Sequence, residues 1–253
     1  LFGAPIVLNP VFFVPFIFAP IANVWLFKIF VDVFNMDGFI YTLPWTTPGP
    51  LGIILGCGIK LLPVIFLVIV LVMDFVTYYP FFKVYDNQKL EEEKNISAIE
   101  NNLGKLFFEF DNIEEAFRHY NVAKEIRMRN NDTNVIETLI NICEGYIKIK
   151  EIDKCEEVLE EIKTLIDGTD VEQIIEQNLL WYRVYTIKEM ADEAELVLLE
   201  TFNLAKVNGL EKRAAELAIL LGRYYIGIKK DYEAAKYLDE GVKIFRNLGI
   251  LNN

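Results

Sequence analysis

The sequence predicts an all-α chain in two unlike parts. The first is a set of truncated polytopic membrane helices with a re-entrant loop, and the second is a soluble helical-hairpin solenoid. Three observations predict this. Leu61–Phe82 is apolar or aromatic except for Thr77 and Asp74, and at 1.5 Å per residue about 22 residues cross a hydrocarbon core of roughly 30 Å. The charge is split: residues 1–90 hold four lysines and four aspartates and are neutral, so the whole formal charge of −12 lies in residues 91–253. Finally, residues 97–248 carry a spaced ladder of small and large residues that repeats about every 39 positions.

In chain order, Val11–Phe27 is an uncharged 17-residue run, enough for a short or tilted span. Pro5, Pro10, Pro15 and Pro20 each remove a backbone donor, which predicts a kinked span or a broken segment lining an enclosed cavity. Phe39–Gly58 stays apolar while Pro44, Pro48, Pro50 and four glycines oppose a regular helix across most of it. Such irregular apolar backbone suits a re-entrant loop beside a transport path. There Trp45 offers a flat apolar face and Thr46 and Thr47 offer hydroxyls, a combination that fits a sugar; an interfacial anchor is the other reading of Trp45. Asp74 interrupts the last span, and an acid at that depth needs a partner or a water-lined face. Tyr78, Tyr79, Phe81 and Phe82 gather as an interfacial belt, and Lys83 and Lys89 mark that end as cytoplasmic.

The runs FGAPIVLNPVFFVPFIFAPIANV, LPWTTPGP and YYPFFKVYDNQKLEEE resemble, in order and spacing over residues 1–93, the C-terminal part of enzyme IIC. This is the membrane permease of the bacterial phosphoenolpyruvate-dependent sugar phosphotransferase system, in its lactose/cellobiose/chitobiose branch. The resemblance implies a homodimeric, multi-pass permease of the bacterial inner membrane. It would take up a β-linked disaccharide of the cellobiose or lactose type while cytosolic IIA- and IIB-type subunits phosphorylate it. It also implies that Trp45, Thr46 and Thr47, with Asn9 in the Leu-Asn-Pro step, lie near the sugar. Departures are visible. The family's Asn-Glu-Pro motif and sugar-site histidine belong upstream of Leu1, Gly49 stands where many relatives have proline, and Gly56-Cys57-Gly58 replaces the usual Thr-Gly-Gly. These departures predict a half-built sugar site and no transport by this chain alone. The start at Leu1, without Met, predicts a chain cut from something longer.

Residues 89–96 read as a charged linker. Beyond them the anchors Gly104, Cys143, Tyr182 and Gly222 are followed at +3 by Phe107, Tyr146, Tyr185 and Tyr225. At +12 stand Ala116, Cys155, Ala194 and Ala234; at +16, Tyr120, Leu159, Leu198 and Leu238; at +19, Ala123, Ile162, Thr201 and Gly241. Small residues at the anchor and at +12 let two antiparallel helices approach, and large ones at +3 and +16 fill the space between them. This ladder resembles the tetratricopeptide repeat, which implies a concave groove for a protein or peptide ligand. In the third unit Tyr182 and Thr201 depart from the pattern, predicting a wider separation of its helices. Cys143 and Cys155 read as packing residues, and His119 as structural.

The acidic half argues against nucleic-acid binding, which needs clustered Lys and Arg. Cys57, Cys143, Cys155 and the single His119 make neither a disulfide framework nor a zinc signature. No Walker loop, nucleophile elbow or HExxH motif is present, so the expectation is no catalytic residue, metal or cofactor. Asn95-Ile96-Ser97 fits a glycosylation acceptor but falls on the expected cytoplasmic side. Two other readings stand beside the permease: a membrane-tethered repeat scaffold or peptide-sensing regulator, and a join of two unrelated reading frames near Glu93.

Overall fold

The structure, a computed structural model, describes residues 10–40 and 49–250. Among these residues every regular element is a helix. The chain divides into two compact units, Leu1–Glu92 and Glu93–Asn253.

In the first unit a 3₁₀ turn, Pro10–Phe12, leads into α1, Phe13–Asp32. Pro15 lies in the first turn of α1, where its missing N–H costs little, whereas Pro20 lies inside and leaves the Phe16 carbonyl without its helical donor. An eight-residue helix, α2, spans Gly49–Gly56. The sequence opposes helix across most of Phe39–Gly58, but its prolines stop at Pro50, the second residue of α2, so nothing beyond it blocks the ladder. The third helix, α3, spans Leu61–Glu109 with Pro80 inside, and it contributes to both units. The expected linker, residues 89–96, lies within α3.

A small core of Phe30, Met36, Phe66 and Val70 joins α1 to the first part of α3, with the Phe30 and Phe66 rings 5.1 Å apart. Most other apolar side chains point outward. Phe13, Phe18, Val24 and Trp25 on α1, and Leu61, Val68, Leu71, Val72, Phe75 and Val76 on α3, are all exposed. Two helices, Pro10–Asp32 and Leu61–Glu109, are long and apolar enough to cross a membrane, and only 17% of the apolar window of each is buried. A helix buried in a soluble core would hide that surface, and one left in water would expose an apolar patch far beyond what soluble monomers carry.

In the second unit the end of α3 is followed by α4 (Ile113–Arg129), α5 (Val135–Lys148), α6 (Ile152–Leu165), α7 (Val171–Ile187), α8 (Ala191–Val207), α9 (Glu211–Gly227) and α10 (Asp231–Asn247). Successive helices from α4 to α10 pack on one another. One core gathers Tyr120, Leu139, Cys143, Cys155, Leu159 and Ile162, and another gathers Ile175, Leu198, Phe202, Leu217, Leu221 and Tyr225.

The sequence ladder maps onto contacts between paired helices. A Cβ added to Gly104 would meet the Tyr120 ring at 2.4 Å, and one on Gly222 would meet Leu238 at 2.5 Å. The anchor residue therefore packs against the +16 residue in the first and fourth pairs. In the second pair Cys143 Sγ lies 3.9 Å from the Cys155 carbonyl oxygen at +12. Tyr182 is half-buried and sets its ring edge-on to Tyr224 at 6.1 Å. Thr201 is fully buried, and its hydroxyl donates to the Val197 carbonyl at 2.6 Å, which satisfies the extra polar group without an outside partner.

Seven helix ends share one geometry. Asp111, Asn131, Lys150, Glu189, Gly209, Lys229 and Gly249 have φ between 50° and 71°. In each case the next N–H donates five residues back at 2.9–3.0 Å, as Asn112 does to Phe107 and Lys230 does to Tyr225. This is the Schellman ending, which pairs the orphan carbonyls of the last turn. The α7 start is capped by Asp170, whose carboxylate accepts from the Gln173 N–H at 3.1 Å.

Candidate functional site

The residues expected near a sugar, Asn9, Trp45, Thr46 and Thr47, lie outside the described residues. Among the described residues of the first unit, Asp74 is the acid set between the two long apolar helices. Asn23, on α1, donates from Nδ2 to Asp74 Oδ1 on α3 at 2.9 Å. The Asn23 Oδ1 is buried and, among the described residues, has no hydrogen-bond partner. The partner that an acid at this depth demands is therefore an amide on the neighbouring helix, and it ties the two helices together. Three residues further on, the Thr77 hydroxyl donates to the Met73 carbonyl at 2.7 Å, so it needs no partner from another element.

Beside this bond lies a cleft of ≈ 410 Å³ lined by Phe12, Phe16, Asp74, Phe75, Tyr78, Tyr79 and Phe82. Phe12 is buried, 5.0 Å from Phe82 and 5.6 Å from Tyr85, and Phe16 meets Tyr78 edge-on at 6.0 Å. The aromatic cluster expected at the end of the span is thus built from both helices. Sequence reasoning singled out Asp74 and the tyrosines but missed Asn23, Phe12 and Phe16. The available signal was that Asn23 is the one carboxamide within the uncharged run Val11–Phe27, and so a natural mate for the one acid in the facing span.

In the second unit His119 is held, not free. Its Nδ1 is 2.6 Å from Glu100 Oε2, its Nε2 is 3.2 Å from an Arg118 nitrogen, and Phe107 stacks on its ring at 5.1 Å. Cys143 and Cys155 are both fully buried. The neighbouring Cys155 thiol, with burial, pushes the Cys143 thiol up, away from the thiolate form that nucleophilic chemistry requires. Arg127 is buried and donates to Asn134 O at 2.8 Å and Thr138 Oγ1 at 2.6 Å. Glu195 accepts from Lys230 and from the Tyr225 hydroxyl, each at 2.9 Å. These bonds, the lysine's first, hold its carboxyl below the usual range. Burial, reinforced by Glu109, Glu144 and Glu137, pushes the Tyr120 phenol up to about 12. Among the described residues, no group of three or more His, Cys, Asp or Glu could hold a metal ion.

The membrane-type helices and the acid between them make comparison with transport proteins informative. Part of the chain is similar to the PTS system lactose-specific EIICB component. The protein of that name from Staphylococcus haemolyticus is 58% identical over 103 residues, which is 41% of this chain and 18% of that protein. Its counterpart from Lactococcus lactis subsp. lactis is 48% identical over 147 residues, 57% of this chain and 26% of that protein. The one from Staphylococcus aureus is 58% identical over 94 residues, 37% of this chain and 16% of that protein. The chain therefore spans between a sixth and about a quarter of these relatives' length. The Lactococcus match takes in more of this chain than residues 1–93 can hold, so likeness in that comparison is not confined to the first unit. No family model matches the chain.

Proposed function

We propose that residues 1–88 are a piece of a phosphotransferase-system permease that carries a β-linked disaccharide of the lactose or cellobiose type across the bacterial cell membrane. Residues 89–96 join it to a tetratricopeptide-like domain, residues 97–253, that binds a protein or peptide in the cytoplasm. The observation that carries the permease reading is the 58% identity to proteins named for lactose-specific transport. Two helices with outward apolar faces support it. In this reading Trp45 stacks on a sugar face, Thr46, Thr47 and Asn9 bond its hydroxyls, and IIA- and IIB-type subunits supply the phosphoryl group. The complete permease would be a multi-pass homodimer held in lipid.

The test is a segment exchange. Residues 1–93 of this chain replace the matched segment of the Staphylococcus haemolyticus protein, and lactose uptake is measured in cells lacking their own system. Uptake within a few-fold of the parent is expected, with a loss of at least tenfold in Trp45→Ala. A well-inserted exchange protein that carries no sugar would overturn the reading.

One observation favours a second reading, in which the repeats act as a membrane-tethered scaffold. The same helix-to-helix contact recurs in the first and fourth pairs of the second unit. Adding residues 97–253 to the exchange protein separates the two. Unchanged uptake, together with a new co-purifying protein, supports the scaffold role; a change in uptake indicates that the repeats regulate transport.

A further inference from the structure

We propose that the cleft between α1 and α3 is a binding site for an organic ammonium group. Among the described residues, six aromatic side chains and one carboxyl side chain line it, and no basic side chain does. Asp74 is fixed there by Asn23 at 2.9 Å and, among the described residues, has no ion pair. An amide bond orients a carboxyl group without pairing its charge, and a carboxylate among apolar groups is stabilised by a counter-charge. Lys83 follows Phe82 directly but does not line the cleft. An organic cation seated in the cleft would supply that counter-charge. Aromatic ring faces attract cations, and alkylammonium groups are the cations that such faces bind, because their methyl or methylene surface tolerates a dry wall while their charge meets the rings and the acid. A neutral ligand would leave Asp74 uncompensated, and an anion would be repelled by it. The volume of ≈ 410 Å³ is in the range of small-molecule sites. The ligand is thus a quaternary or primary ammonium, either as a free small molecule or as the headgroup of a lipid.

The experiment uses the full chain in a polyoxyethylene detergent and compares choline with 3,3-dimethylbutan-1-ol, which has the same shape with carbon in place of the charged nitrogen. Equilibrium dialysis should show saturable choline binding and at least tenfold weaker binding of the alcohol. Asp74→Asn keeps an oxygen to accept the Asn23 N–H and removes only the charge, so it should erase the preference for choline while the far-ultraviolet circular dichroism stays unchanged. Phe16→Leu, which removes one ring face and leaves Asp74 in place, should weaken choline binding several-fold and serves if Asp74→Asn does not fold. If choline does not bind but a trimethylammonium lipid binds in nanodiscs with the same Asp74 dependence, the site is a headgroup site and the proposal holds. Equal binding of choline and its neutral counterpart, or lipid and choline binding that ignores Asp74→Asn, would overturn it.

Discussion

At the scale of single residues, close packing carries the second unit. Gly222 has no room for a methyl group: Leu238 would lie at 2.5 Å and the Ala234 carbonyl at 3.3 Å. The Leu238 side chain would have to move, and the Ala234 carbonyl behind it is backbone, so Gly222→Ala should destabilise the unit by about 1–3 kcal/mol, read as a lower thermal midpoint of the full chain in detergent. Titration gives two further tests. Glu195 has its carboxyl held below the ordinary 4.5, so its contribution is present above that value and is lost as pH falls through the lower, folded one. Acid should therefore weaken the unit, and Glu195→Gln should flatten that loss in urea unfolding at pH 7 and pH 4. Tyr120 runs the other way. With its phenol raised to about 12, its contribution is complete below the ordinary 10 and is lost as pH climbs toward 12. Burial and the Glu195 bond push the Tyr225 phenol up as well, so tyrosinate absorbance should show a late step shared by several phenols, and Tyr120→Phe should lower its amplitude by one phenol. Gly222 and Tyr120 were legible in the sequence because they sit on its ladder, whereas Glu195 lies beside the ladder and shows its role only through the Lys230 and Tyr225 bonds. The Asn23–Asp74 bond was legible only as a pairing of residue types, the one carboxamide with the one acid, because nothing in a linear pattern says which residue of one apolar helix faces the acid of another.

At the scale of elements, helix ends are where sequence and structure part. Gly209 and Gly249 announce their left-handed endings, since glycine adopts positive φ without a steric cost. Lys150, Glu189 and Lys229 adopt the same conformation with no sequence signal, because the Schellman hydrogen bonds and the pairing of helices impose it. Each such residue carries strain of roughly 1 kcal/mol. Lys150→Gly and Lys229→Gly should therefore raise the thermal midpoint, each adding about 0.5–1 kcal/mol, whereas Asp170→Ala at the start of α7 should cost about 1 kcal/mol. The same reasoning explains α2. The prolines of Phe39–Gly58 disfavour helix through most of the stretch, yet the last of them falls at the second residue of the helix, where a missing donor is harmless. The span α1 accommodates Pro20 at the expense of one hydrogen bond.

At the scale of the whole molecule, the division of composition is the division of structure. The neutral apolar residues form a unit whose helices turn their apolar faces outward, and the acidic residues form a unit that buries its own core. The proposed permease reading gives the two different surroundings: hydrocarbon for the faces of α1 and the first part of α3, and water for the charged surface of α4–α10. The most direct test is a topology measurement in bacterial membranes. The three native cysteines are replaced, and single cysteines are placed at the exposed Val33 and at Asp86. A membrane-impermeant maleimide should label Val33→Cys in intact cells and Asp86→Cys only after the membrane is opened. Labelling of both positions from the same side, or recovery of the chain in the soluble fraction, would contradict the account.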